Sequence, residues 1–313
     1  MAGTGREVVR QLGAPSLRAA SLVRSVFGQR RGSERRLSEM ASWLLLAPLL
    51  TLFAAVFLFP MLDMLDRSLF DPELTTRHYE ELFSRDLYLR VVWRTIKISV
   101  TVAAATLVLG YPVAYLMARV KGWQAALVAA CVFIPLWSST LVRSYTWTAL
   151  LARNGIVNSS LLELGIVSEP LRLLYTEGAV IVAMTHVMLP FMVLPLYASL
   201  RSIKDDLPRA ASVLGASGFA TFRYIIWPLS LPGVSAGLVM VFLVSLGFFI
   251  TPALVGGAQT MMVATLVAHE LTTGFNWGLA SAIAAVLLLI ALAVTFSFNR
   301  ILKLDQLSSQ EGR

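Results

Sequence analysis

The chain has 313 residues, of which 57% are hydrophobic and only 14% charged, with a formal charge of +8 and a mean hydropathy of +0.72. Soluble domains are about a quarter charged, so an ordinary soluble domain is excluded. The single cysteine, Cys131, lies in an apolar run, which rules out an internal disulfide, and Cys/His metal-ligand spacings are missing.

Residues 1–40 form an Arg-rich polar tail with scattered hydrophobics, read as a poorly ordered or membrane-surface segment. Long apolar runs follow at about 41–62, 97–118, 124–142, 179–200, 231–255 and 279–298. A spanning helix needs roughly 20 mostly apolar residues, so these predict an all-α integral membrane protein with six transmembrane helices. The first run ends at Asp63 and Asp66. The other five hold no acid, and Lys97 is their only Lys or Arg. A cleavable signal is not expected, because the first run begins behind the tail and is too long for a signal core.

Between the first two runs, "TTRHYEELF" predicts a short surface helix capped by Thr75 or Thr76. A tight loop, "ARVKGW", joins the second run to the third. The segment from 143 to 178 contains "NGIVNSSLLELG", which predicts a short interfacial helix capped by Asn158 or Ser159. Trp137, Tyr145, Trp147 and Tyr175 flank it as belt aromatics would. Pro112, Pro135, Pro190, Pro195 and Pro252 interrupt the spans. Breakers at membrane depth need neighbouring helices or a water-filled cavity to satisfy the freed backbone.

Orientation follows from the basic residues. With the tail inside, Arg119, Lys121, Arg201, Lys204, Arg209, Arg223, Arg300, Lys303 and Arg313 also fall inside, while 256–278 carries no Lys or Arg. That asymmetry predicts both termini in the cytoplasm, the C-terminal tail being 301–313. It accounts for the positive charge by proximity to anionic lipid, without nucleic acid.

The inner loop at 201–230 is the most informative stretch. Asp206 is a candidate N-cap, Pro208 falls in the first turn, and "PRAASVL" reads as a helix closed by Gly215. Ser217 can cap a second short helix, ended by Pro228, and Pro232 then starts the fifth span. Small Ala210 and Ala211, with Leu214 one turn beyond Ala210, suit insertion into another protein's groove.

This loop, "RAASVLGASGFATFRYIIWP", resembles the EAA loop of type I ABC importer permeases: Glu-Ala-Ala, three residues, Gly, nine residues, Ile, one residue, Leu-Pro. Arg209 stands in place of Glu and Trp227 in place of Leu. The stretches "RNGIVNSSLLELGIVSEPLRLLY", "HVMLPFMVLPLYASLRSI" and "FITPALVGGAQTMMVATLV" are similar to the polyamine (spermidine/putrescine), PotB-like branch.

The resemblance implies a type I ABC importer transmembrane domain at 41–300 in a bacterial inner membrane. It implies a second permease subunit, two ATPase subunits and an extracytoplasmic binding protein as partners. Asp206, Arg209, Ala210, Ala211, Leu214, Gly215, Ala216 and Ser217 would form the coupling surface. No G-x-x-x-x-G-K-[ST] occurs, so ATP and Mg are expected in the partner ATPases and this chain is not itself an enzyme.

For a polyamine cargo, aromatic faces would come from Trp137, Tyr145, Phe248 and Phe249, and polar contacts from Ser139, Ser245 and Thr251. Glu270 is the candidate outer gate. Two other readings remain. An ion-coupled secondary transporter would need intramembrane acids or histidines, for which the chain offers His186. A rhomboid-like protease would use "GASG" with His186, yet Ser217 sits in a capped polar loop, not in a buried span.

Overall fold

A computed structural model describes residues 39–70 and 73–310. The tail up to residue 38 lies outside them. Two compact units divide at Met61–Leu62. In the first lie α1 (Glu39–Phe53) and a wide π turn, Ala54–Leu58. Then α2 (Phe59–Leu69) runs across the boundary. The π turn stands just before Pro60, and the Phe59 N–H reaches back to the Ala54 carbonyl. Proline cannot donate the usual helical bond, and the wider turn absorbs the missing donor. Side chains from Trp43 to Leu58 are exposed.

The second unit continues with α3 (Arg77–Ser84), α4 (Asp86–Arg119), α5 (Trp123–Trp137), α6 (Thr140–Leu151), α7 (Ile156–Glu163) and α8 (Glu177–Ser202). Then come α9 (Asp206–Val213), α10 (Gly218–Thr221), a π turn Phe222–Ile226, and α11 (Trp227–Leu246). A π turn at Pro252–Gly256, a short 3-10 turn, α12 (Val263–Thr272) and α13 (Trp277–Gln310) complete it. Among the described residues no strand occurs beyond one isolated bridge, Phe70 to Leu74.

Among the described residues five helices are long and apolar enough to cross a membrane: Trp43–Leu69, Asp86–Arg119, Glu177–Ser202, Gly218–Leu246 and Trp277–Phe298. The third predicted run departs from a single straight span. Helix α5 stops at Trp137, and α6 leaves at 100° to it. The Ser138 hydroxyl bonds the Pro135 carbonyl at 2.7 Å, and Ser139 caps α6 by accepting from the Leu141 N–H at 3.3 Å.

The fifth run is also corrected. Pro228 does not end a helix. Gly218 to Leu246 is one helical segment, in which the π turn ahead of Pro228 does what its counterpart does ahead of Pro60. The helix then stops at Leu246, and not near 255.

Helix α8 is the centre of the core, packed on α4 and α11. Ile98, Val102, Met184, Met188, Met192, Leu196, Val241 and Leu246 are buried there. Helix α11 approaches through Gly233 and Gly237, one turn apart. A methyl added at Gly233 would stand 2.5 Å from Ser199 Cβ, and at Gly237 2.6 Å from Met192 Sδ. In lipid, close backbone approach of this kind replaces the hydrophobic drive of water.

A second cluster joins α3, α4, α12 and α13 through Leu82, Tyr88, Val91, Val263, Leu266, Leu279 and Ile283. There the Thr95 hydroxyl of α4 accepts the first N–H of α12, from Val263, at 2.9 Å.

Candidate coupling segment and pathway

The α8–α11 connection folds largely from local rules. Asp206 is the first residue of α9 and not its cap. Asp205 occupies the cap position, without a side-chain bond. At the other end Gly215 takes φ +85°, its N–H bonds the Ser212 carbonyl at 3.1 Å, and Ala216 N–H bonds the Ala211 carbonyl at 3.0 Å. That pair of bonds is the Schellman closure, which needs a left-handed residue at this position. Ser217 then caps the next helix, accepting from the Ala220 N–H at 3.2 Å.

Ala211 is buried while Arg209 and Ala210 face out. Val213 and Leu214 are 86% and 87% exposed, and Phe219 and Tyr224 extend the apolar surface. Sequence reasoning named Leu214 and missed Val213 and Phe219. Their signal was available, since both are large apolar residues in a segment too polar to enter lipid.

An aromatic cluster ties this segment to α4. The Tyr111 hydroxyl shares a hydrogen bond with Ser230 Oγ at 2.9 Å. Its ring lies 5.3 Å from Trp227 and 5.8 Å from Phe222, while Tyr115 meets Phe222 at 6.2 Å. Arg119 stacks over Tyr115 at 5.2 Å. Trp227, where the resemblance has Leu, thus fills the joint between α4 and α11. Beside it opens a cleft of about 320 Å³ lined by Arg119, Lys121, Arg201, Asp205, Arg209 and Ser212.

The candidate pathway residues divide. Ser139 caps α6, and Tyr145 is exposed on the same helix. Thr251 is buried and bonded to Ser144 Oγ of α6 at 2.8 Å, which joins the two broken segments. Ser245 is buried, with no hydrogen-bond partner for its hydroxyl. Phe248 packs on the main core, whereas Phe249 is exposed beside it. Trp137 is 92% exposed at the end of α5 and is not gathered with the others.

Beyond these, Trp147 donates its indole N–H to His186 Nδ1 at 3.3 Å. Thus His186 is an interhelical hydrogen-bonding residue. Asn158 is not a cap but a clasp. Its amide bonds the Ala152 and Leu171 carbonyls and its carbonyl accepts the Leu171 N–H, while Gly155 occupies the cap position of α7.

Glu270 belongs to helix α12 and not to a loop. It lines a cavity of about 590 Å³ with Arg90, Arg94, Gln259 and His269. Nearby, Glu177 in the first turn of α8 pairs with Arg94 at 3.3 Å and with Lys97. Among the described residues no His, Cys, Asp and Glu gather in a metal-binding group.

The connection between two of the long helices thus presents an exposed apolar surface at Val213, Leu214 and Phe219. The family model described as "Binding-protein-dependent transport system inner membrane component" matches residues 95–304. The spermidine/putrescine transport system permease protein PotB of Haemophilus influenzae is 35% identical over 231 residues, 74% of this chain and 80% of that protein. Its Escherichia coli counterpart is 32% identical over 225 residues, 72% and 82% of the two chains.

Among solved structures, a bacterial alginate ABC transporter in complex with an alginate pentasaccharide-bound periplasmic protein contains a chain of the same fold. Its TM-score is 0.71 at 21% identity, covering 86% of this chain and 97% of that one. The chain is a permease subunit of an ABC importer. It belongs to the family of binding-protein-dependent transport system inner membrane components.

Proposed function

We propose that this permease carries polyamines, or a related small organic cation, along an interface with a second and different permease subunit. In this reading two ATPase subunits bind ATP and Mg on the cytoplasmic side, where both termini lie, and a binding protein delivers cargo outside. Similarity to the two spermidine/putrescine permeases supports the cargo class. The exposed aromatic faces of Tyr145 and Phe249 suit a multiply charged amine, which cation–π attraction favours.

The observation that carries the drive mechanism is the α9 plug. Val213 and Leu214 stand out beyond a Schellman-closed helix whose far side is joined, through Ser217 and the π turn, to α11. Closure of the ATPase pair would push α9. That push would pass through α10 to α11 and, by the Tyr111–Ser230 bond, to α4. Those two helices flank α8, so their tilt would open the interface alternately to each side.

The test is transport by the co-expressed complex in proteoliposomes with ATP at the ATPase face. Labelled spermidine or putrescine should accumulate with ATP and persist when ion gradients are collapsed. Uptake that fails with ATP and follows a sodium or proton gradient would sink the reading.

A further inference from the structure

Two of the spans end side by side, and their ends can be placed in the bilayer. On α4, Lys97 and Arg119 bracket 21 residues without Asp, Glu, Lys or Arg, and on α8 Glu177 and Arg201 bracket 23. At 1.5 Å per residue these stretches measure about 32 Å and about 35 Å, close to the roughly 30 Å hydrocarbon core of a membrane. Lys97 pairs with Glu177, which levels the two helices at one end. At the other end Arg119 and Arg201 line one cleft, the cavity of about 320 Å³ beside α9. The cleft therefore opens at the depth of lipid headgroups. Tyr115, over which Arg119 stacks, lies one turn deeper on α4, where interfacial aromatics belong.

Charge in the cleft is one-sided. Arg119, Lys121, Arg201 and Arg209 reach it from the α4 end, the α8 end and α9, against one carboxylate, Asp205. Among the described residues no ion pair involves any of these five. The C-termini of α4 and α8 each add about half a negative charge, so with Asp205 the four cations exceed their local counter-charge by about two. Like charges held around one cavity repel, and an anion between them relieves that repulsion.

The cleft is distinct from the plug. On α9 it takes Pro208 and Ser212, one turn apart, whereas Ala210 and Leu214 form a row two residues out of phase. At about 100° per residue the two rows lie about 160° apart around the helix. A protein seated on Leu214 meets the opposite side of α9.

We infer that the cleft binds the headgroup of an anionic phospholipid, its phosphate set among Arg119, Lys121, Arg201 and Arg209 and bridging α9 to the ends of α4 and α8. Basic pockets between spanning helices take phosphate headgroups in this way. A soluble phosphate offers the same charge, but at headgroup depth the bilayer itself presents phosphate at high local concentration. The bound lipid braces α9 against the spans, so ATP-driven transport depends on it. That consequence rests on the reading of α9 as the coupling segment, whereas lipid binding stands without it.

The experiment titrates the complex, purified in neutral detergent, with fluorescent cardiolipin. Binding should saturate, and Arg119→Gln with Arg201→Gln should weaken it by about thirty-fold, the scale of two lost basic contacts to anionic lipid. Arg119→Lys with Arg201→Lys should restore most of it. Lys204→Gln with Arg300→Gln removes as much charge outside the cleft and should bind as the native complex does. A photoactivatable phosphatidylglycerol should label residues lining the cleft in the native complex, a result that needs no variant to fold. Undiminished binding in the cleft pair, equal losses in both Gln pairs, or labelling confined to other surfaces would overturn the inference. So would displacement of the lipid by millimolar inorganic phosphate, which would make the occupant a soluble anion.

In vesicles, ATP-driven uptake by the native complex should be several-fold faster in phosphatidylethanolamine with phosphatidylglycerol than in phosphatidylethanolamine with phosphatidylcholine. The Gln cleft pair should lose that difference. Equal uptake in both lipids despite binding in the cleft would overturn the bracing. Absence of ATP-driven uptake from both would instead sink the transport reading, and the cardiolipin titration would still decide the site.

Discussion

At Gly215 a single dihedral angle holds the candidate coupling segment in shape. A methyl added there would meet nothing within 4 Å, so the constraint is the φ of +85° and not space. For an L residue the left-handed conformation costs roughly 1–2 kcal/mol, and Asn tolerates it better than Ala. Gly215→Asn should therefore retain ATPase subunits in a pull-down, Gly215→Ala should retain fewer, and Gly215→Trp fewest, since its ring would also obstruct the docking face. Equal retention in all three would separate this turn from docking. Ser217→Ala removes one cap bond and should cost about 1 kcal/mol of local helix stability. Hydrogen exchange at the Ala220 amide is the direct measure. A protection factor there unchanged by the substitution would mean that the cap contributes nothing.

Elements show where the sequence was readable and where it was not. Gly215 and Ser217 were legible because each closure spans only a few residues. The spans containing α4, α8 and α13 were legible because apolar runs of this length leave no other solution in lipid, and Pro112, Pro190 and Pro195 stay inside their helices. The elbow at Ser138–Ser139 was not, since an apolar count cannot distinguish a straight run from one that turns through 100°. Nor was the continuity through Pro228, because a π turn ahead of a proline leaves no compositional trace. His186 was legible as an interhelical hydrogen-bonding residue, but its partner Trp147 and the Ser144–Thr251 bond were not, since both appear only when α6 turns at the elbow. The Gly233–Gly237 face is an element-scale feature with its own consequence. Gly237→Leu would drive a branched side chain into Met192 and should separate α11 from α8, with loss of folded protein in a detergent-stability assay. Gly247→Ala, at a glycine with open space around it, is the control and should behave as the native chain.

For the whole molecule the distribution of charge sets direction. Arginines crowd the tail, and further basic residues line the cleft beside α9, while the stretch from Gly256 to Gly278 carries no Lys or Arg. Basic residues are retained on the cytoplasmic side during insertion, so both termini and the α9 segment should face the ATP pool. This orientation is a condition of the whole mechanism, because a plug on the other face could never meet an ATPase. With native Cys131 replaced by serine, two exposed single-cysteine variants test it. Leu214→Cys should react with a membrane-impermeant maleimide only in inverted vesicles, and Thr273→Cys only in intact cells. The reverse pattern would turn the molecule over, leaving the Val213–Leu214 surface to an extracytoplasmic partner and the drive from ATP without a point of contact.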